Sequence, residues 1–205
     1  MHLLLTDILT CPDCGPDHGL ILRADAMVER RVLEGALGCP NCRRNFPIED
    51  GTARLSRAGE AAGAAASATE RVPAVRIAAL LGLDNARGFS LLAGPAAASA
   101  AEVHAMAADA PLIVTDTDVA DTAAPYASRL VIGHALPFRA AALGAIWLSG
   151  ASANARLEDA VRALHRTGRL VLEPAPADAR ERLEALGMRV ALNEQQTVLA
   201  VYAGS

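Results

Sequence analysis

The chain contains no lysine; all 19 of its basic residues are arginine. Chemistry that needs a lysine amine, such as a Schiff base, is therefore excluded. Aromatic residues make up 3% of the 205 positions. A core must be built from Ala, Leu and Val, and there is no run of rings on which nucleic acid bases would stack. Formal net charge is −4, with no long basic run. That argues against a protein devoted to gripping a phosphate backbone, so nucleic acid is not expected as a direct ligand. No apolar stretch reaches about 18 residues without a charge or a breaker, so no membrane span is expected. The opening MHLLLTDILTCP lacks a basic leader and meets Asp7 early. It is poor in signal-peptide features, which makes a cytoplasmic location the expectation. In that compartment four cysteines read as metal ligands rather than disulfides.

Hydrophobic residues reach 52%, enough for one medium domain and a smaller one. Every cysteine lies in residues 1–55. Residues 56–70, SRAGEAAGAAASATE, are low in complexity and read as a linker, or as a weak helix of low specificity. Residues 71–205 alternate between helical and strand-like stretches. Helices are expected at 74–83, 98–109, 154–168 and 176–187, the third closed by Gly168. Strands are expected at 88–93, 111–116, 129–134, 143–150 and 169–175. MRVALNE and TVLAVYA follow as a hairpin. The fold class is α/β: a small zinc-ribbon domain, then a Rossmann-like, mostly parallel sheet with a C-terminal antiparallel hairpin. Ligands in such sheets bind beyond the carboxyl ends of the strands. Informative residues therefore follow Ala93, Val114, Ile132 and Leu148.

The cysteines form two knuckles, Cys11-Pro-Asp-Cys14 and Cys39-Pro-Asn-Cys42, separated by 24 residues. Two such turns bring Cys11, Cys14, Cys39 and Cys42 around one Zn²⁺ as a closed, structural site with no open position for chemistry. His18 is left out because four thiolates fill a tetrahedron. LILRA and RRVLEGALG between the knuckles are candidate hairpin strands. A module of this size has little core of its own, so the metal supplies much of its folding free energy.

The residues around the knuckles resemble a known family, the small zinc-ribbon activator subunit shared by tRNA, rRNA and release-factor methyltransferases. Leu4, Leu5, Ile8, Leu9, Cys11, Pro12 and Cys14 match its first motif. Cys39, Cys42, Pro47, Ile48, Asp50 and Gly51 match the rest. Phe46 replaces the usual Tyr, and Thr52-Ala53 replaces Ile-Pro. The resemblance implies a stabilising, protein-binding role without chemistry. In that family the zinc module covers an apolar surface on a methyltransferase and can extend its sheet edge. Here the client is the same chain, a second copy or a third protein. Residues 1–55 carry six Arg against eight acidic residues, a mixed solvated surface rather than an RNA-binding one.

Residues 71–205 resemble a class I S-adenosylmethionine methyltransferase. RLVIGHALPFRAAALGAIWLSGA and LEDAVRALHRTGRLVLEPA follow that family's stretches in order, and its last strand is antiparallel. Alignment on its first motif puts Ser90 in the acidic place and Leu92 at the first glycine, with Gly94 at the second and Ala96 at the third. Leu92 then places a bulky side chain where the methionine moiety lies, and Pro95 removes an N–H donor. Asp116 or Asp118 is placed to bond ribose hydroxyls. His134 stands where the family has an Asp that reads the adenine amino group. After the fourth strand Asn154 is the only amide nearby. His104 and His165 read as surface residues and Trp147 as core.

If S-adenosylmethionine binds, Gly94, Asp116 and His134 are the residues that hold it; the altered positions argue against it. No catalytic residue is assigned. The expected function is a non-catalytic zinc-binding interaction subunit on a degenerate methyltransferase fold, with a protein partner or a second copy. The alternative is an active methyltransferase with a variant loop, since methyl transfer needs little beyond positioning.

Overall fold

The computed structural model describes residues 1–57, 60, 71–116 and 126–204, with the side chains of Gly150 and Ala151 excepted. Most of the expected linker, and Asp118, lie outside the described residues.

The N-terminal part opens with a 3-10 turn, Leu3–Asp7. A two-stranded ribbon follows, β1 (Thr10–Cys11) against β2 (Gly15–Gly19). Four antiparallel strands come next: β3 (Ile21–Val28), β4 (Arg31–Gly38), β5 (Asn45–Glu49) and β6 (Thr52–Leu55). Strand periodicity explains their faces. In β5, Phe46 and Ile48 are buried while Asn45, Pro47 and Glu49 are exposed. The expected hairpin between the knuckles is β3–β4.

The α/β part contains α1 (Ala74–Leu81), β7 (Phe89–Ala93), a 3-10 turn (Gly94–Ser99), α2 (Ala100–Met106), β8 (Leu112–Thr115) and β9 (Ala127–Ile132). It continues with β10 (Leu143–Leu148), α3 (Gly150–Ala155), α4 (Leu157–Ala163), β11 (Leu164–Leu172) and α5 (Ala179–Ala185). The hairpin β12 (Met188–Glu194) and β13 (Thr197–Tyr202) closes the chain. Strands β9-β8-β7-β10-β11 are parallel neighbours. Counted from the first strand, that is the doubly wound order 3-2-1-4-5. β13 joins antiparallel to β11 and carries β12 at the edge.

β6 pairs in parallel with β9, from Thr52↔Arg129 to Leu55↔Ile132. The cysteine-bearing meander and the α/β strands thus form one 11-stranded sheet. Packing repeats that continuity. Leu9, Phe46, Ile48 and Leu55 share a core with Ile132, Phe138, Leu157 and Leu183 on one sheet face. On the other face Ile77, Leu81 and Val103 cover Leu92, Val114 and Trp147. Outside the meander, Thr10 N–H donates to the Pro137 carbonyl and Arg139 N–H to that of Ile8, each at 2.9 Å. No described helix is long and apolar enough to cross a membrane.

One element differs from expectation. The helix expected over 154–168 ends at Ala163, and Gly168 lies inside β11. The reason is a close approach of two strands. The β10–β11 register shifts between Leu143 and Ala145, and a Cβ on Gly168 would come within 2.6 Å of the Gly144 carbonyl oxygen. A Cβ on Gly144 would in turn run into the backbone of Arg87. Gly144→Ala is therefore expected to destabilise by about 1–3 kcal/mol through forced backbone shifts. The urea unfolding midpoint measures it; an unchanged midpoint would show that this bulge is slack.

Candidate functional site

The four cysteines converge where two knuckles face each other. All four Sγ atoms lie within 4.8 Å of one another, and none is in a disulfide. Cys11 Sγ is 3.7 Å from Cys42 Sγ, and Cys14 Sγ is 3.8 Å from Cys39 Sγ. A tetrahedron with Zn–S bonds of about 2.3 Å has edges of about 3.8 Å, the separation of these two sulfur pairs. The second knuckle is closed by backbone bonds of 2.9 Å, from Arg43 N–H to the Cys39 carbonyl and from Cys39 N–H to that of Arg44. Arg43 takes a left-handed φ of 62° to make the turn. Asn41 Nδ2 donates to Cys14 Sγ at 3.3 Å, and Arg44 pairs with Asp13. Burial pushes the Cys11 thiol up to about 12. Against the same push, the N–H groups of Cys42 and Asn41 bring Cys39 down to about 7. Four thiolates this close together repel one another unless a cation lies among them, and this donor set is soft and zinc-like.

The second candidate site lies beyond the carboxyl ends of the parallel strands. Gly94 turns the chain directly after β7 with φ +65°, a conformation costly for a residue with a side chain. Leu92 is not in that turn. It lies within β7, paired with Val114 and Trp147, and its side chain is fully buried in the core beneath α1 and α2. β7 runs through Ala93, the end of the strand expected over 88–93, and the backbone bends only at Gly94. Ser90 is mid-strand and its buried Oγ has no partner among the described residues. At the switch point between β7 and β10, Ser149 Oγ donates to the Ala93 carbonyl at 3.2 Å.

Asp116 does stand at the end of β8, but its carboxylate faces inward. Arg156 meets it with two nitrogens, Nη1 on Oδ2 and, at 3.3 Å, Nη2 on Oδ1. Ser152 Oγ donates to Oδ2 at 3.0 Å. The ion pair's side chains are each 3% exposed. Arg156 Nε also donates to the Gly133 carbonyl at 3.1 Å, so one guanidinium spans the ends of β8 and β9. His134 does not join this cluster. Its side chain is exposed, while its N–H donates to Glu60 Oε1 at 2.7 Å. Glu60 lies against Gly133 and accepts from Arg57 N–H at 3.0 Å. Burial alone would raise the Glu60 carboxyl; the His134 and Arg57 N–H groups outweigh it and hold the group below its ordinary range. Arg57 Nε donates to the Pro12 carbonyl at 2.8 Å. Two side chains, those of Arg57 and Glu60, thus connect the first knuckle to the strand ends.

Of the sequence-derived residues, the structure gathers Cys11, Cys14, Cys39 and Cys42. It places Gly94 and Asp116 at strand ends and leaves the His134 ring outside. Asn154 Oδ1 is taken by Arg182. Arg156, Ser152 and Glu60 carry no sequence signal. An arginine on a helix with Leu157, Val161 and Leu164 on its apolar face reads as part of the solvated side.

Residues 2–51 match the family model described as Trm112p-like protein, about a quarter of the chain with all four cysteines inside it. No curated protein matches the chain. The match and the sulfur cluster together suggest zinc binding and an interaction-subunit role.

Proposed function

We propose that the chain is a non-catalytic, zinc-stabilised interaction subunit: a ribbon over residues 1–55 and a linker over 56–70, followed by a methyltransferase-like domain over 71–205 that holds no S-adenosylmethionine. Zn²⁺ on the four thiolates is structural, since a closed tetrahedron leaves no position for substrate. The observation that carries the cofactor-free reading is the buried pair of Asp116 with Arg156. A carboxylate that bonds ribose must present free oxygens. Here Arg156 and Ser152 occupy them, and a bidentate guanidinium is a strong competitor. The doubly wound order with an antiparallel final strand supports the methyltransferase likeness. The β6–β9 pairing supports the ribbon's role. The activator family extends the sheet edge of its client, and here the chain's own α/β half takes the client's place. What remains for a partner is the outer surface of the merged sheet.

Calorimetry of the zinc-loaded chain with S-adenosylmethionine and S-adenosylhomocysteine tests this. No measurable heat of binding is expected. Micromolar binding would restore the alternative, an active methyltransferase that moves Arg156 aside.

A further inference from the structure

The 11-stranded sheet ends in two edges, β12 and β3, and they are unlike. β12 presents Arg189, Ala191, Asn193 and Glu194 to solvent, charged, polar or small side chains of the kind that blunt an edge. At the other end β3 pairs only with β4 among the described residues. Three of the eight large hydrophobic side chains exposed among the described residues lie on this one strand: Ile21, Met27 and Val28, at 64%, 52% and 56%. An eight-residue edge with unpaired N–H and C=O groups beside apolar side chains is a template for another strand.

The side chains of β3 specify which strand. Leu22 lies opposite Leu37 and Met27 opposite Val32, and Leu37 and Val32 belong to the core. Leu22 and Met27 thus lie on the core side of the sheet, and their neighbours Ile21 and Val28 on the outer side. Leu22 and Met27 share a side although an odd number of positions separates them. The cause is a bulge: the pairing passes from Ala24↔Gly35 to Ala26↔Glu34 and skips Asp25.

A second copy related by a two-fold axis between Ala24 and Asp25 brings its β3 antiparallel to the first. Ile21 then stands opposite Val28 on the outer side, and Leu22 opposite Met27 on the core side, each pair made twice. In an unbulged strand this register would set every outward side chain against an inward one. The bulge at Asp25 removes that conflict. Charge fits as well. Arg23 and Asp25 pair within each chain at 3.1 Å. Across the axis Arg23 faces Ala26 and Asp25 faces Ala24, so no like charges stand directly opposite. Each Arg23 also lies one position from the second copy's Asp25.

We infer that β3 is a homodimer edge: two copies join antiparallel through β3, and their two sheets become one. The occupant is a second copy rather than a foreign strand because the edge complements itself, in apolar side chains and in charge. The inference goes beyond the interaction-subunit reading and is independent of whether a nucleoside binds at the strand ends.

Light scattering of the zinc-loaded chain over about 1–100 µM tests it. The parent is expected to reach about twice the chain mass of 21.2 kDa. Ile21→Arg and Val28→Asp alter exposed positions, and each sets a charge against an apolar side chain of the other copy. Each alone is expected to be monomeric where the parent is dimeric. Mixed in equal amounts they should dimerise again. The register then sets the new arginine against the new aspartate in one pair and leaves Val28 against Ile21 in the other. Hydrogen exchange of the parent needs no variant: Ile21–Val28 should gain protection as concentration rises, and β12 should not. A parent that stays monomeric would overturn the proposal and leave β3 to a strand of another protein. A dimer that both variants leave intact would overturn it by placing the contact elsewhere. Single variants that stay apart when mixed would contradict the register on which it rests.

Discussion

Replacing Arg156 by alanine is expected to cost about 3–5 kcal/mol, because it leaves the Asp116 carboxylate buried without its cation. That is a large share of the roughly 5–15 kcal/mol that stabilises a domain. The cause is asymmetry. The intact pair offsets its own desolvation through bidentate contact and the bond from Arg156 to Gly133, whereas a lone charge at 3% exposure has no such offset. The double variant Arg156→Met with Asp116→Asn removes both charges and should recover most of the loss, since well-packed neutral replacements of buried pairs are often near neutral. Urea unfolding of the two single variants and the double forms a cycle that isolates the pair. A large coupling energy is expected. If Arg156→Ala unfolds at the same midpoint as the parent, Asp116 is reached by water and stands free for a ligand.

Stripping the metal is expected to have the other large effect. Structural zinc in ribbon-sized peptides contributes about 10–16 kcal/mol, as much as a whole domain's stability. Chelation, or Cys39→Ser at a buried ligand, should therefore unfold the meander first. Here the damage should travel. β6 covers the edge of β9, and Phe46, Ile48 and Leu55 lie in the same core as Ile132 and Phe138. Losing them bares both a strand edge and an apolar face, an aggregation hazard. Hydrogen exchange should show protection lost across Cys39–Gly51, then across β9, with α1 and β13 the last to open. A metal-free chain that keeps full protection over Cys39–Gly51 would show that the thiolates are not what holds the ribbon.

How far this was legible depends on the kind of signal each residue carries. Asp50-Gly51 makes the β5–β6 turn, where both central residues have positive φ, 48° and 73°, which that pair tolerates best. Glu29-Arg30 makes the same kind of turn between β3 and β4, at 47° and 64°, with residues that give no hint of it. Gly168 misled because glycine marks both a helix end and a close backbone approach. Leu92 lies inside the strand expected over 88–93, and the chain turns only at Gly94. The cysteine quartet was legible since its chemistry is local to two turns. The Asp116–Arg156 pair was not: 40 residues separate its members, and neither residue alone demands the other.

The central claim is that the chain's own side chains occupy the place where a nucleoside cofactor would lie. A crystal of the zinc-loaded protein grown with excess S-adenosylhomocysteine tests it directly. The account predicts Arg156 seated on Asp116, Glu60 against Gly133, and no nucleoside density beside Gly94. Density for the nucleoside there, with Arg156 swung away and Asp116 on the ribose, would contradict it.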